Sequence, residues 1–205
     1  SSITNNTSSS GAGIYCLGNA KHPSESIIEN CTISMNNTIE IETEGGGGGG
    51  IMCYSYAIDR ISNCTISENV AYTGGGIRTT KKGAEPIIED CVFSNNTATH
   101  PSWNGGGLCS DAWSVFAAEP KISNTLFCGN FEVHIYGRWK DEGGNVELDT
   151  CCQSDIDGNG HVDVDDILII VSEWGFHVAD ADINSDGFVD TDDLLQLIAD
   201  WGPCP

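Results

Sequence analysis

The chain has little positive charge. It carries 8 Lys and Arg against 30 Asp and Glu, a formal net charge of -22 over 205 residues. No Lys or Arg follows Lys140. Neutralising a phosphate backbone needs clustered basic side chains, so nucleic acid is excluded as a partner. No apolar run approaches the ~18–20 residues of a membrane helix, and no membrane span is expected. The ten cysteines contain no Cys-x-x-Cys pair, which removes the usual zinc spacings. Neither a phosphate-binding Gly-x-x-x-x-Gly-Lys-Ser/Thr loop nor a Gly-x-Ser-x-Gly turn is present. The glycine run 45–50 matches any glycine pattern trivially and lacks a βαβ context. A leader peptide is missing too, as expected of a processed or partial sequence.

Many cysteines and many acids are what remain. Together they point to an oxidising, calcium-rich medium and a secreted, extracellular or cell-surface protein. Thirteen of the carboxylates fall in 151–205, so acidity is concentrated where a cation is expected. The expected organisation is a repeat domain over 1–150 and a second domain over 151–205.

Residues 1–130 repeat. The anchor is Gly-Gly-Gly-apolar, at Gly48 to Ile51, Gly74 to Ile77 and Gly105 to Leu108, with a weaker copy from Gly11 to Ile14. A second block recurs as Ile28-Glu-Asn-Cys31-Thr-Ile33, Ile61-Ser-Asn-Cys64-Thr-Ile66, Ile88-Glu-Asp-Cys91-Val-Phe93 and Ile122-Ser-Asn-Thr125-Leu-Phe127. Three residues beyond each block stands Asn36, Asn69, Asn96 or Asn130. Apolar residues alternate, so these are strands. One coil cannot bury its own apolar face, but parallel coils ~4.8 Å apart share a core. The pattern predicts a parallel β-helix of about four to five coils, Ile on Ile and Asn on Asn. Asn6 follows Ile3 by three residues, so the chain begins inside a coil and leaves an open edge for end-to-end stacking. Residues 131–150, with Trp139, Gly143 and Gly144, read as a terminal half-coil and cap. Cys31, Cys64 and Cys91 form a column of small buried side chains, while Cys16 and Cys53 are placed to bridge neighbouring coils. Asn5, Asn36 and Asn95 lie in Asn-x-Ser/Thr sequences in polar loops and are candidates for attached glycan. The Gly-Gly-apolar and Phe-x-x-Asn repeats resemble those of surface-exposed right-handed β-helix proteins such as the polymorphic outer-membrane adhesin family.

The second domain holds two acidic loops of one design, 27 residues apart. The first offers Asp155, Asp157, Asn159, Asp163 and Asp166; the second offers Asp182, Asn184, Asp186, Asp190 and Asp193. Oxygen side chains at positions 1, 3, 5, 9 and 12 with Gly at 6 match the spacing of an EF-hand-type calcium loop. Each loop runs into an amphipathic segment. Ile167, Ile170, Val171 and Trp174 share one helical face, as do Leu194, Leu197, Ile198 and Trp201. Gly175 and Gly202 are placed as C-terminal caps. The arrangement resembles a type I dockerin over about 153–202. That resemblance implies two calcium ions, with the carbonyls of His161 and Phe188 completing the two sites and Asp163 and Asp190 acting through water. It implies a cohesin-like partner as well. Where the family often has Ser-Thr, this chain has Val164-Asp165 and Thr191-Asp192. A disulfide from Cys151 or Cys152 to Cys204 would clip the ends of the module together.

The functional expectation is a non-catalytic structural or adhesive protein, self-associating by end stacking or through the calcium module. Fold analogy supplies the alternative: the C-terminal part of a polysaccharide lyase or glycoside hydrolase, anchored through a dockerin to a cohesin. For that chemistry the candidates are few. The cations of the repeat are Lys21, Arg60, Arg78, Lys81, Lys82 and Lys121, with Arg78 expected to point outward. Candidate paired acids are Glu40 with Glu42, or Glu89 and Asp90 with a neighbouring coil. His100, Trp103 and Trp113 are candidates for stacking on a polysaccharide.

Overall fold

The structure, a computed structural model, describes residues 1–39, 46–102, 104–110, 118–131, 133–157, 159–177, 181–184 and 186–204. The chain divides into two compact units, Ser1–Asp149 and Thr150–Pro205. Glu40, Glu42, Trp103 and Trp113 lie outside the described residues.

The first unit is a parallel β-helix of about four turns. One turn consists of Ile51–Tyr54, Arg60–Ser62, Thr65–Ser67 and Val70–Ala71. Each strand pairs in parallel with its copies in the turns before and after, so four sheets run along the unit. Alternation sends every second side chain inward. Ile14, Ile51, Ile77, Leu108 and Ile135 are register partners, as are Ile28, Ile61, Ile88 and Ile122. A third column runs Ile3, Ile33, Ile66, Phe93 and Phe127, where the two phenyl rings stack with centroids 4.7 Å apart. Each fully buried member removes its side chain from water, worth about 1.5–3 kcal/mol. A single turn has no second layer against which to do this.

The corners are single residues in the left-handed conformation. Asn30, Asn63, Asp90 and Asn124 form one such column, with φ between 47° and 53°. Asn and Asp tolerate this region better than other non-glycine residues. At the next corner the chain is held by an asparagine ladder. The buried Asn69 accepts from both the backbone N–H and the Nδ2 of Asn36, each at 3.0 Å, and its own Nδ2 donates to Asn96 Oδ1 and Ile33 O. Asn6, Asn36, Asn96 and Asn130 continue the pattern. Asn36 is therefore a fully buried ladder member and no glycan acceptor, correcting the expectation for that site. The glycine anchor passes this ladder. A Cβ on Gly50 would lie 2.7 Å from Gly76 O and 3.2 Å from Asn69 Nδ2, so no side chain fits.

The half-coil expected over 131–150 is more regular than that. Val133–Tyr136, Lys140–Asp141 and Val146–Leu148 extend three of the four sheets. The apolar columns do stop there. Asp141 is the register partner of Ile122, and Glu147 that of Phe127, both exposed. Carboxylates where the core would continue give this turn a polar outer face, as a solenoid end requires.

The second unit holds two helices, α1 (Val164–Glu173) and α2 (Thr191–Ala199). Its core is Val162, Ile170, Ala181, Ile183, Val189 and Leu197. Ile167 and Leu194 are partly buried against it, but Val171, Trp174, Ile198 and Trp201 are exposed. The buried face thus lies one position away from the expected one. The buried acids Asp166 and Asp193 set it, because Ile170 and Leu197 stand four residues later on the same side. No helix among the described residues is long and apolar enough to cross a membrane.

Candidate metal centre

Both acidic loops are folded around their own carboxylates. Asp163 caps α1, accepting from Asp165 N, while Asp166 reaches back to accept from Asp163 N. Asp166 has a second task at the far end of the loop. Its Oδ1 accepts from Ile156 N at 2.7 Å and Asp157 N at 3.2 Å, so one buried carboxylate ties the first turn of the loop to the first turn of the helix. Asp155 accepts from Asn159 N and Gly160 N, Asp157 from Asn159 N, and Asn159 from His161 N. The chain therefore curls with its oxygens inward. Asp155, Asp157 and Asp166 each bring a carboxylate oxygen within 4.8 Å of the others.

The second loop repeats this bond for bond. Asp182 accepts from Asp186 N and Gly187 N, Asn184 from Asp186 N, and Asp186 from Phe188 N. Asp193 accepts from Asn184 N and Asp190 N, and Asp190 caps α2. Asp157 and Asn159 exchange roles with Asn184 and Asp186, so each loop keeps the same number of carboxylates. Gly160 and Gly187 have φ of 89° and 98°, the turn that position 6 demands. His161 and Phe188 take part through their backbone amides; the Phe188 ring packs against His177, centroids 4.0 Å apart.

Like charges at this separation repel strongly unless something positive sits among them. Residues 150–205 contain no Lys or Arg to do so. The donor set is all oxygen, mixed carboxylate and amide, on a loop short enough to converge. That chemistry fits a hard divalent cation and offers nothing to a thiolate-seeking one. Cys152 and Cys204 also stand beside Asp155, but they form a disulfide and are not ligands.

Sequence reasoning missed the short antiparallel pair His161–Val162 with Gly202–Pro203, which braces the first loop from outside. The signal was available: Gly175 and Phe176, 27 residues earlier, brace the second loop at Val189 in the same way.

Comparison with known proteins bears on the other unit. Residues 1–160 match a family model described as the right handed beta helix region. The chain belongs to the right-handed β-helix family. No curated protein and no solved structure matches it.

On the right-handed β-helix, the residues considered for catalysis are largely engaged. Glu89 pairs with Arg60 at 2.5 Å, and its register neighbours are Ser62 and Ser123 rather than acids. Arg78 is buried rather than displayed. Its Nη1 donates to Thr73 Oγ1 and lies 3.9 Å from Cys109 Sγ. His100 sits edge-on to Tyr72, and partial burial and then the Arg78 charge push its pKa down. Cys16 and Cys53 are register partners with free, buried thiols rather than a bridge. In the column Cys31, Cys64 and Cys91, each thiol donates to the carbonyl two residues before it. The Cys91 thiol bonded to Cys64 lowers the Cys64 pKa to about 6, and the same contact pushes Cys91 up.

Proposed function

We propose that the second unit is a dockerin-like module holding two calcium ions, and that it attaches a secreted, structural or adhesive right-handed β-helix to a partner or to further subunits. The observation that carries this reading is the two-fold recurrence of an inward-facing oxygen cluster without any basic side chain to balance it. Asp155, Asp157, Asn159, Asp166 and the His161 carbonyl would hold one ion. Asp182, Asn184, Asp186, Asp193 and the Phe188 carbonyl would hold the other, with Asp163 and Asp190 one water away. When bound, the ion supplies folding energy by joining carboxylates that otherwise repel.

Attachment is supported by the outer faces of the helices. Leu168, Val171 and Trp174 are exposed, and so are Leu195, Ile198 and Trp201, their equivalents 27 residues on. Two equivalent apolar patches suit a protein partner of cohesin type. That same feature keeps the enzyme reading in play, with the unit anchoring an upstream lyase or hydrolase.

Calorimetric titration of the metal-stripped chain should give two calcium ions per chain. Asp166→Ala and Asp193→Ala should each remove one. No binding heat in the unaltered chain would overturn the reading. Filaments seen by electron microscopy without turnover of acidic polysaccharides would favour the structural role, and turnover the enzymatic one.

A further inference from the structure

The two loops have the same bonds but are not held in the same way. Positions 7 and 8 of the second loop pair with Gly175 and Phe176: Gly175 N donates to Val189 O at 2.8 Å, and Val189 N to Phe176 O at 3.1 Å. Positions 7 and 8 of the first loop pair with Gly202 and Pro203. These are the same two residues shifted by 27. Beyond each brace comes the difference. The repeat places Cys204 at the equivalent of 177 and Cys152 at the equivalent of 179. Positions 177 and 179 are joined by the chain itself. Cys204 and Cys152 are 52 residues apart and are joined by a disulfide. The sulfur–sulfur bond thus replaces a two-residue stretch of backbone.

Both ends of that bridge bear on the first loop. Cys152 O accepts from Asp155 N, Cys204 N donates to Gly160 O at 3.0 Å, and Cys204 Sγ lies 3.5 Å from Asp155 Oδ2. The loop's first ligand and its position-6 glycine are therefore held by the two halves of one cystine. The bonds that shape the second loop run through Glu173, Asp190 and Asp193 and involve neither cysteine.

We propose that the Cys152–Cys204 disulfide sets the cation affinity of the first loop and leaves that of the second unchanged, so that reduction switches one of two equivalent calcium sites. The inference rests on the calcium reading given above. The reductant is a dithiol: the cystine takes two electrons and two protons and becomes two thiols, and the dithiol closes to its own disulfide. Once the bridge opens, the 202–204 brace must find the first loop across about forty residues of chain, and only the braced fraction is competent to bind. Apparent affinity falls by that fraction. The brace of the second loop is a dozen residues away and needs no bridge.

The test uses the full chain, 15N-labelled and titrated with calcium, following the Gly160 and Gly187 amides. These donate to the first carboxylate of their own loops at 2.8 and 2.9 Å, so each reports one site. In the disulfide-bonded chain both should saturate. In the Cys152→Ser, Cys204→Ser double variant the Gly160 midpoint should rise by about tenfold or more, while the Gly187 midpoint stays within about twofold. A common shift of both, or of neither, overturns the proposal. If Gly187 loses its response because the variant misfolds, the native chain is loaded with calcium, reduced with dithiothreitol and mixed with a chelator. One equivalent should then leave at least about tenfold faster than from the oxidised chain, and equal acceleration of both overturns the proposal. A disulfide-bonded chain in which neither glycine responds overturns the calcium reading itself, and this inference with it.

Discussion

At the scale of single residues, the solenoid rests on polar side chains that do repetitive work out of solvent. Asn69 satisfies two donors and one carbonyl that belong to neighbouring turns, besides finding its own acceptor. Asn69→Ala leaves them buried and unpaired, and urea denaturation should show a loss of about 2–5 kcal/mol. The cysteine column has a different logic. Thr125 takes the place of a fourth cysteine and donates to Ser123 O at 2.9 Å, as the thiols donate to their own neighbours. Thr is thus an accepted substitute, and Cys91→Thr should shift stability by less than about 1 kcal/mol, whereas the bulkier Cys91→Leu, lacking a donor, should cost about 1–3 kcal/mol in the same measurement.

At the scale of elements, Gly50 tests the stacking geometry. Its backbone passes Gly76 closely enough that the Cβ of Gly50→Ala would sit 2.7 Å from a carbonyl oxygen. The expected cost is about 1–3 kcal/mol, read from the denaturation midpoint; Gly143→Ala, with nothing within 4 Å, separates this overlap from simple loss of glycine. Strands were legible in the chain because their period of two coincides with a longer repeat, so Ile33, Ile66 and Phe93 announce both a strand and its partner. The helix faces were less so. A periodic reading groups Val171 and Trp174 with Ile170, because apolar residues attract one another in any pattern count. The structure buries Asp166 instead, and an acid that accepts three backbone N–H groups overrides the apolar stripe. Likewise the outward side of a strand is normally wet, which is why Arg78 was expected in solvent; here Met52, Arg78 and Cys109 form a covered outer column.

At the scale of the molecule, the two units draw on different sources of stability. The β-helix has a continuous apolar core and needs no ion. The 150–205 unit has a core of six fully or nearly buried residues, small enough that a disulfide and bound metal should matter. Calorimetry with excess EDTA should therefore lower the transition of the second unit by well over 10 °C and leave the β-helix transition in place, since ligand removal destabilises only what binds it. Equal sensitivity of both transitions, or of neither, would count against this division.

The register itself has one more consequence. Ile87 stands directly above Arg60, and every contact that residues 60–86 make along the axis is made again by the turn that follows. Excision of those residues would set Ile87 on Ile27 with its columns intact. Length in this molecule is accordingly a counting variable rather than a design constraint. Whole turns can be added or removed as beads on a string, while the loss of a single residue would throw every column beyond it out of phase.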